Sequence, residues 1–267
     1  MADSTSGLKT FLQASPSVAL VEVREAKGST PREEGAWMLV SPESIFGTIG
    51  GGQLEFMAIA RARELISDNL ANGALDIPLG PEIGQCCGGR VALDIRVPDQ
   101  EERSAILKRA SEEAASFPQV ILFGGGHVGH ALAAALTPLP VRVLVVETRK
   151  EALEDFPDDV ETRLAALPEE AVREAPAGTA FVILTHDHAL DFLLVAEALA
   201  RDDAAYVGMI GSKTKRATFK SWYLKNGGDE DCFSKLVTPI GGDAVHDKRP
   251  AVIAAMAAAE ILVALNR

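Results

Sequence analysis

Cysteine, aromatic side chains and positive charge are all scarce in this chain, and each shortage removes a class of protein. Three cysteines in 267 residues cannot build the disulfide framework of a small secreted fold. Aromatic residues make up 5%, too few for the stacking platform that holds single-stranded bases. Lysine and arginine number 26 against 38 acidic residues, a net charge of −12, which argues against wrapping nucleic acid or lying on an anionic membrane. Apolar runs fall well short of the roughly 20 residues of a spanning helix. The opening MADSTSGLKT is polar and lacks the apolar stretch of a signal peptide, so the expectation is a cytoplasmic protein. Internal repeats and low-complexity segments are missing too. What is plentiful is apolar character: 47% of the residues, enough for one large core or two modest ones.

The strongest local signal is QVILFGGGHVG at 119–129, a short apolar strand that runs into a G-x-G-x-x-G turn formed by Gly124, Gly126 and Gly129. The first glycine allows the tight turn, the second a close approach of backbone to a phosphate, and the third the packing of helix on strand. An apolar helix pattern follows. A second apolar strand over 141–146 ends in Glu147, 18 residues beyond Gly129, where a ribose-binding carboxylate is expected. The competing reading is a tight strand-to-helix turn that binds nothing. His127 either faces a ligand or is an ordinary exposed histidine.

From residue 119 onward, strands are expected at 119–123, 141–146, 180–184, 204–209 and 235–239. Helices are expected near 127–136, 189–201, 213–226 and 249–265, with 163–175 as a short, poorly formed helix. This alternation implies a parallel sheet with right-handed crossovers. Before it, strands are expected at 18–24 and 90–97, a hairpin at 36–40 and 44–48, and a helix at 53–69. A loop around Pro78, Gly80, Pro81 and Gly84 precedes the 90–97 strand. The class is α/β: an N-terminal mixed α+β domain over 1–98, a charged helical linker over 99–118, and a Rossmann-like, doubly wound parallel-sheet domain over 119–267.

Four more segments could carry chemistry. In Gly211-Ser212-Lys213, with Lys215, Arg216 and Lys220 beyond, a helix opens with Ser212 as its cap. Cations at a helix N-terminus oppose the macrodipole, so an anion is expected to offset them, unless the face is simply solvated. Thr185-His186-Asp187-His188, with Asp191 following, offers two histidines and two carboxylates at a strand end. They serve as a ligand-facing loop or a metal site, or Asp187 merely caps the next helix. Gly84-Gln-Cys86-Cys87-Gly88-Gly89 presents two thiols among glycines that leave backbone N–H groups bare, or else two small residues in a tight turn. Cys232 stands in an acidic loop with no evident role. Finally, Gly28–Gly35 with Arg32, and Gly47–Glu55 with Gly50, Gly51 and Gln53, are two glycine-rich loops suited to a polar or anionic ligand.

Together these segments resemble the XdhC/CoxI family, accessory factors for xanthine dehydrogenase and related molybdenum hydroxylases. The resemblance rests on GSTPREEGAWMLV (28–40), GTIGGGQLE (47–55), GQCCGG (84–89), FGGGHVGHAL (123–132), LTHDHALDF (184–192), YVGMIGSKTKRATF (206–219), and TPIGG with KRPAVIAA (238–255). Leu164–Glu169 and Asp243–Asp247 depart from the family pattern. The resemblance implies a molybdenum cofactor chaperone that binds molybdopterin as cargo while a cysteine desulfurase supplies the sulfido ligand, then promotes insertion into apo-xanthine dehydrogenase. Partners would be that apoenzyme, the desulfurase, cofactor donor proteins and a second copy in a homodimer. His127, Thr185, His186, Asp187, Gly211, Ser212 and Lys213 match the family motifs directly. The expected arrangement puts the cofactor phosphate on Gly124–Gly129 and Ser212–Arg216. Its molybdenum end then meets Cys86, Cys87, Arg32 and Gly50–Gln53 across an interdomain cleft, with Cys86 and Cys87 as metal contacts. No catalytic residue is assigned. The other reading is an NAD(P)-dependent oxidoreductase or a dinucleotide sensor, built on the same glycine turn and Glu147.

Overall fold

The computed structural model describes residues 5–80 and 88–266, so Cys86 and Cys87 lie outside the described residues. The chain divides into two units, Met1–Glu112 and Glu113–Arg267.

The first unit is built on five antiparallel strands: β1 (Ala19–Lys27), β2 (Trp37–Val40), β3 (Ile45–Gly47), β4 (Asn72–Pro78) and β5 (Arg90–Arg96), in the order β3-β2-β1-β5-β4. Alternation along β1 sends Val21 and Val23 to one face and Leu20 to the other, the period of two that a sheet covered on both faces requires. Helix α2 (Gly52–Ser67) buries Leu54, Ala58, Ala62 and Leu65 on the first face. The opposite face is covered by Leu8 and Leu12 of α1 (Thr5–Ala14), with Ile106, Leu107 and Ala110 of α3 (Gln100–Ser116) packed alongside. The stretch expected to be a linker therefore packs on the antiparallel sheet. Arg103 fixes it by donating to the Ser15 and Pro16 carbonyls at 3.2 and 2.6 Å, and Arg109 pairs with Glu22 at 2.8 Å.

The second unit is a six-stranded parallel sheet: β6 (Gln119–Phe123), β7 (Arg142–Glu147), β8 (Glu161–Leu164), β9 (Ala180–Ile183), β10 (Tyr206–Met209) and β11 (Leu236–Val237). Its order is β11-β10-β9-β6-β7-β8. Counted from β6, that is the 3-2-1-4-5-6 arrangement of doubly wound dinucleotide-binding folds. Val120 and Leu122 face α4 (His127–Leu136) and α9 (Pro250–Leu265), while Ile121 and Phe123 face α5 (Glu169–Glu174), α6 (His188–Leu199) and α7 (Lys213–Lys225). The Rossmann-like class expected from the sequence is the one observed.

Some elements differ from expectation. Residues 163–175 are not one helix: an exposed edge strand, β8, is followed by the separate α5. The strand expected over 235–239 is two residues long, since Pro239 has no N–H to add to a ladder. Cys232 sits in the short helix α8 (Glu230–Ser234), capped by Asp229, rather than in a loop. Among the described residues, no helix is long and apolar enough to cross a membrane.

Candidate functional site

The strand order reverses between β6 and β9, and open parallel sheets take ligands outside the carboxyl ends of the strands at that point. The glycine turn leaves β6 there. Gly124 has φ of +125°, and a Cβ on it would stand 2.5 Å from the Leu184 carbonyl oxygen, so the turn rests directly on the end of β9. Its N–H donates to the Val146 carbonyl at 3.0 Å and the Leu184 N–H donates to Phe123 at 2.8 Å, tying the turn to both flanking strands. Gly129 is buried; a Cβ there would meet the Gly124 carbonyl oxygen at 2.1 Å. Gly126 differs. Among the described residues nothing lies within 4 Å of where its Cβ would stand, chain neighbours aside. It and His127 are exposed, and amides in the first turn of α4 have no acceptor within the helix. That combination of room and N–H donors suits an anion.

Glu147 occupies the expected acidic position at the end of β7, and its side chain is 3% exposed. Oε1 accepts from the Thr148 N–H (2.8 Å) and hydroxyl (3.1 Å), the Arg149 N–H (3.1 Å) and Arg149 Nε (3.3 Å). Oε2 accepts from the Gly125 N–H (3.0 Å) and Arg149 Nη2 (2.9 Å). Burial pushes this carboxyl up, but the guanidinium and the three amides outweigh it and hold the pKa at about 2.

Thr185, His186 and Asp187 leave β9 beside the turn. His186 and Asp187 are exposed, and Asp187 caps α6 by accepting from the Ala189 and Leu190 amides at 2.7 and 3.4 Å. Gly211, Ser212 and Lys213 leave β10 on the far side of β9, with Ser212 capping α7 through the Lys215 amide at 3.3 Å. Three of the candidate segments thus open from adjacent strands at one edge of the sheet.

Of the cations expected to await an anion, Lys213 and Lys215 are ion-paired within the chain, and Arg216 rests on uncharged groups. Lys213 meets Asp243 at 3.3 Å. Arg216 stacks over the Phe233 ring at 4.7 Å and reaches the Leu236 carbonyl at 3.4 Å. Lys215, 12% exposed, forms a short ion pair with the fully buried Asp191 and donates to the Ile210 carbonyl at 3.0 Å. Asp191 also accepts from the Thr185 N–H at 3.1 Å and hydroxyl at 2.7 Å, and His188 Nδ1 lies 3.8 Å away. This buried pair fastens the Thr185 loop to the start of α7. It is the residue-level feature that sequence reasoning missed. The available signal was an acid between Leu190 and Phe192, inside an apolar helix pattern, opposite a run of cations with no acid of its own.

In the first unit, the loops carrying Arg32 and Gly50 touch: a Cβ on Gly50 would stand 2.3 Å from that of Pro31. Arg32 is half-buried beside Glu33, and Gln53 is exposed. Glu55 draws in the Gly50-Gly51 turn by accepting from the Thr48 hydroxyl (2.5 Å), the Ile49 amide (3.2 Å) and the Gly51 amide (3.1 Å). Gly88 donates to the Leu79 carbonyl and Leu79 donates to Gly89, both at 2.7 Å. A Cβ on Gly89 would meet the Ser29 carbonyl oxygen at 2.3 Å. The described end of the Gly84–Gly89 segment therefore reaches the Gly28 loop. No cluster of His, Cys, Asp and Glu that could hold a metal ion occurs among the described residues.

A parallel sheet in dinucleotide-binding order, with a glycine turn opening at its switch point, makes the second unit a Rossmann-type domain. The family can be named. Residues 120–261 match the XdhC Rossmann domain and residues 11–72 match the XdhC and CoxI family, and the chain belongs to the XdhC family. It is 25% identical over 262 residues to "Uncharacterized protein YqeB" of Escherichia coli (strain K12), which covers 93% of this chain. The chain spans under half of that relative, 43% of its length. A crystal structure from Bacillus halodurans, described as a xanthine dehydrogenase, has the same fold, with a TM-score of 0.77 at 17% identity over 100% of this chain and 96% of the other.

Proposed function

We propose that the protein is a molybdenum cofactor chaperone in the maturation of xanthine dehydrogenase. On this reading it binds molybdopterin as cargo, holds it while a cysteine desulfurase supplies the sulfido ligand, and delivers it to the apo-dehydrogenase, acting as a homodimer. Membership of the XdhC family supports this. So does the one observation that carries most weight: segments 124–129, 185–187 and 211–213, all matching the family pattern, leave β6, β9 and β10 side by side. The pterin phosphate would be received by the amides following Gly126, where a Cβ would meet no neighbour, with Thr185, His186 and Ser212 as hydroxyl and imidazole partners. Lys213, the more exposed of the two ion-paired cations at 82%, is the one placed to exchange Asp243 for a phosphate. Gly124, Gly129, Glu147, Gly211 and Arg216 shape the crevice. In the first unit, Cys86 and Cys87 are assigned as thiol contacts to the cargo's molybdenum, with Arg32, Gly50, Gly51 and Gln53 as neighbouring polar contacts.

The test is to mix the purified protein with isolated molybdenum cofactor and measure molybdenum and pterin that co-elute with it, then activation of apo-xanthine dehydrogenase. Stoichiometric binding is expected, weakened in Cys86→Ser and Cys87→Ser variants. Undiminished binding and sulfuration in both variants would remove the cysteines from the scheme. A second reading, an NAD(P)-dependent oxidoreductase or sensor, is favoured by the strand order alone. Absence of cofactor binding together with tight NADH binding would select it.

A further inference from the structure

A carboxylate at the end of the second strand of a dinucleotide fold binds the ribose by accepting both hydroxyls of its 2′,3′-diol. It must offer free lone pairs to do so. Glu147 receives six donors, from Gly125, Thr148 and Arg149, on a group with about four lone-pair sites. Arg149 supplies three of them: its amide and two guanidinium nitrogens. The segment after β7 also lies against the turn, since a Cβ on Gly125 would stand 1.9 Å from the Ala152 carbonyl oxygen. The ribose side of the crevice is therefore filled by the chain, while at Gly126 no described atom lies within 4 Å of where a Cβ would stand, chain neighbours aside.

We infer that Arg149 is a specificity-determining residue: by holding Glu147 closed on the glycine turn, it denies the ribose diol of a nicotinamide dinucleotide its carboxylate and leaves the crevice to ligands that dock by a phosphate. The inference rests on the reading of the glycine turn as the ligand crevice. It does not depend on which phosphate-bearing ligand enters. Arg149 acts here through Glu147; it need not touch the ligand.

The probe is NADH, followed by its fluorescence, with NADPH in parallel and thermal melting as a check of folding. Wild type is expected to bind neither. Arg149→Ala frees two sites on the carboxylate, and NADH binding should tighten by about tenfold or more, as expected for hydrogen bonds to a charged acceptor. Glu147→Ala removes the acceptor and should show no gain. A merely structural Arg149 would lower the melting temperature without admitting NADH. Arg149→Met keeps the packing of the stem and serves should the alanine variant fail to fold. Tight binding of NADH or NADPH by wild type, or a folded Arg149 variant with no gain, overturns the inference. Failure of molybdenum cofactor to bind wild type would remove the chaperone reading alone, because the NADH gain is read without it.

Discussion

Asp191 has no access to solvent, so its charge survives only through the partners the fold provides. Lys215 is the lysine in that set, joined by the Thr185 amide and hydroxyl, with His188 Nδ1 3.8 Å away. Removing one partner of a buried ion pair strands the other in a poorly solvated place, which typically costs about 3–5 kcal/mol. Lys215→Ala should therefore lower unfolding free energy in urea by about 3 kcal/mol at neutral pH, and adding Asp191→Asn should restore part of it. A loss below about 1 kcal/mol would place the pair with solvated surface bridges instead. Glu147 gives a pH test. Its carboxyl titrates at about 2 in the folded chain against an ordinary 4.5, so the unfolded chain binds the proton first as pH falls. Its contribution, about 3 kcal/mol, is full above about pH 4.5 and drains away as pH falls toward 2. Glu147→Gln should thus be less stable than wild type at pH 7, with the gap closing through that window. A gap that stays constant would show that the carboxylate charge is not what holds the turn. Sequence located Glu147 by its spacing from Gly129, but not its donors: Gly125 meets it only once β6 and β7 are paired, and Arg149, two residues on, reaches back through a side-chain conformation that spacing alone does not specify.

At the scale of elements, the glycine turn separates what the fold needs from what a ligand needs. A Cβ at Gly129 would enter the Gly124 carbonyl, forcing α4 away from β6. Gly129→Ala should cost about 1–3 kcal/mol, as overpacking generally does. At Gly126 the backbone has φ of −81°, open to any residue, and the space beyond is empty of described atoms. Gly126→Ala should leave stability within about 1 kcal/mol of wild type, yet weaken phosphate-ligand binding by about tenfold or more by blocking the backbone. Equal loss of stability in both variants would make the turn purely architectural. The turn and its flanking elements were legible because apolar strand, glycines and apolar helix follow one another without a break. Other elements were not. Strand β8, ETRL, is exposed at every position and carries no hydrophobic alternation to betray it. Strand β4 opens with Asn72-Gly73, a turn signal, and ends in Pro78, so its alternation of Leu75 and Ile77 is masked at both ends. Helix α1 buries only Leu8 and Leu12, too few contacts to set a period.

For the whole chain, α3 decides where it can be divided. Its composition is charged and none of its residues is fully buried, which is why it has the pattern of a linker. The sheet below it is apolar on that face, however: Leu20, Leu39 and Phe46 lie under Ile106, Leu107 and Ala110. Arg96 and Arg109 both bridge to Glu22 of β1. Cutting at residue 98 would strip away this cover and expose a contiguous apolar face, a recipe for association. Retaining α3 keeps the first core shut. A fragment of residues 1–116 should therefore unfold cooperatively as a monomer or a defined oligomer. A fragment of 1–98 should be less stable by about 3–5 kcal/mol, the scale of a few partly buried apolar side chains and their ion pairs, and should aggregate. Urea unfolding and light scattering of the two fragments check this directly. Equal stability would mean that α3 merely lies on the sheet, and the division at residue 98 expected from composition would then hold. If the longer fragment alone folds, the charged residues of α3 act as the outer face of a cover whose apolar inner face only the assembled sheet makes visible.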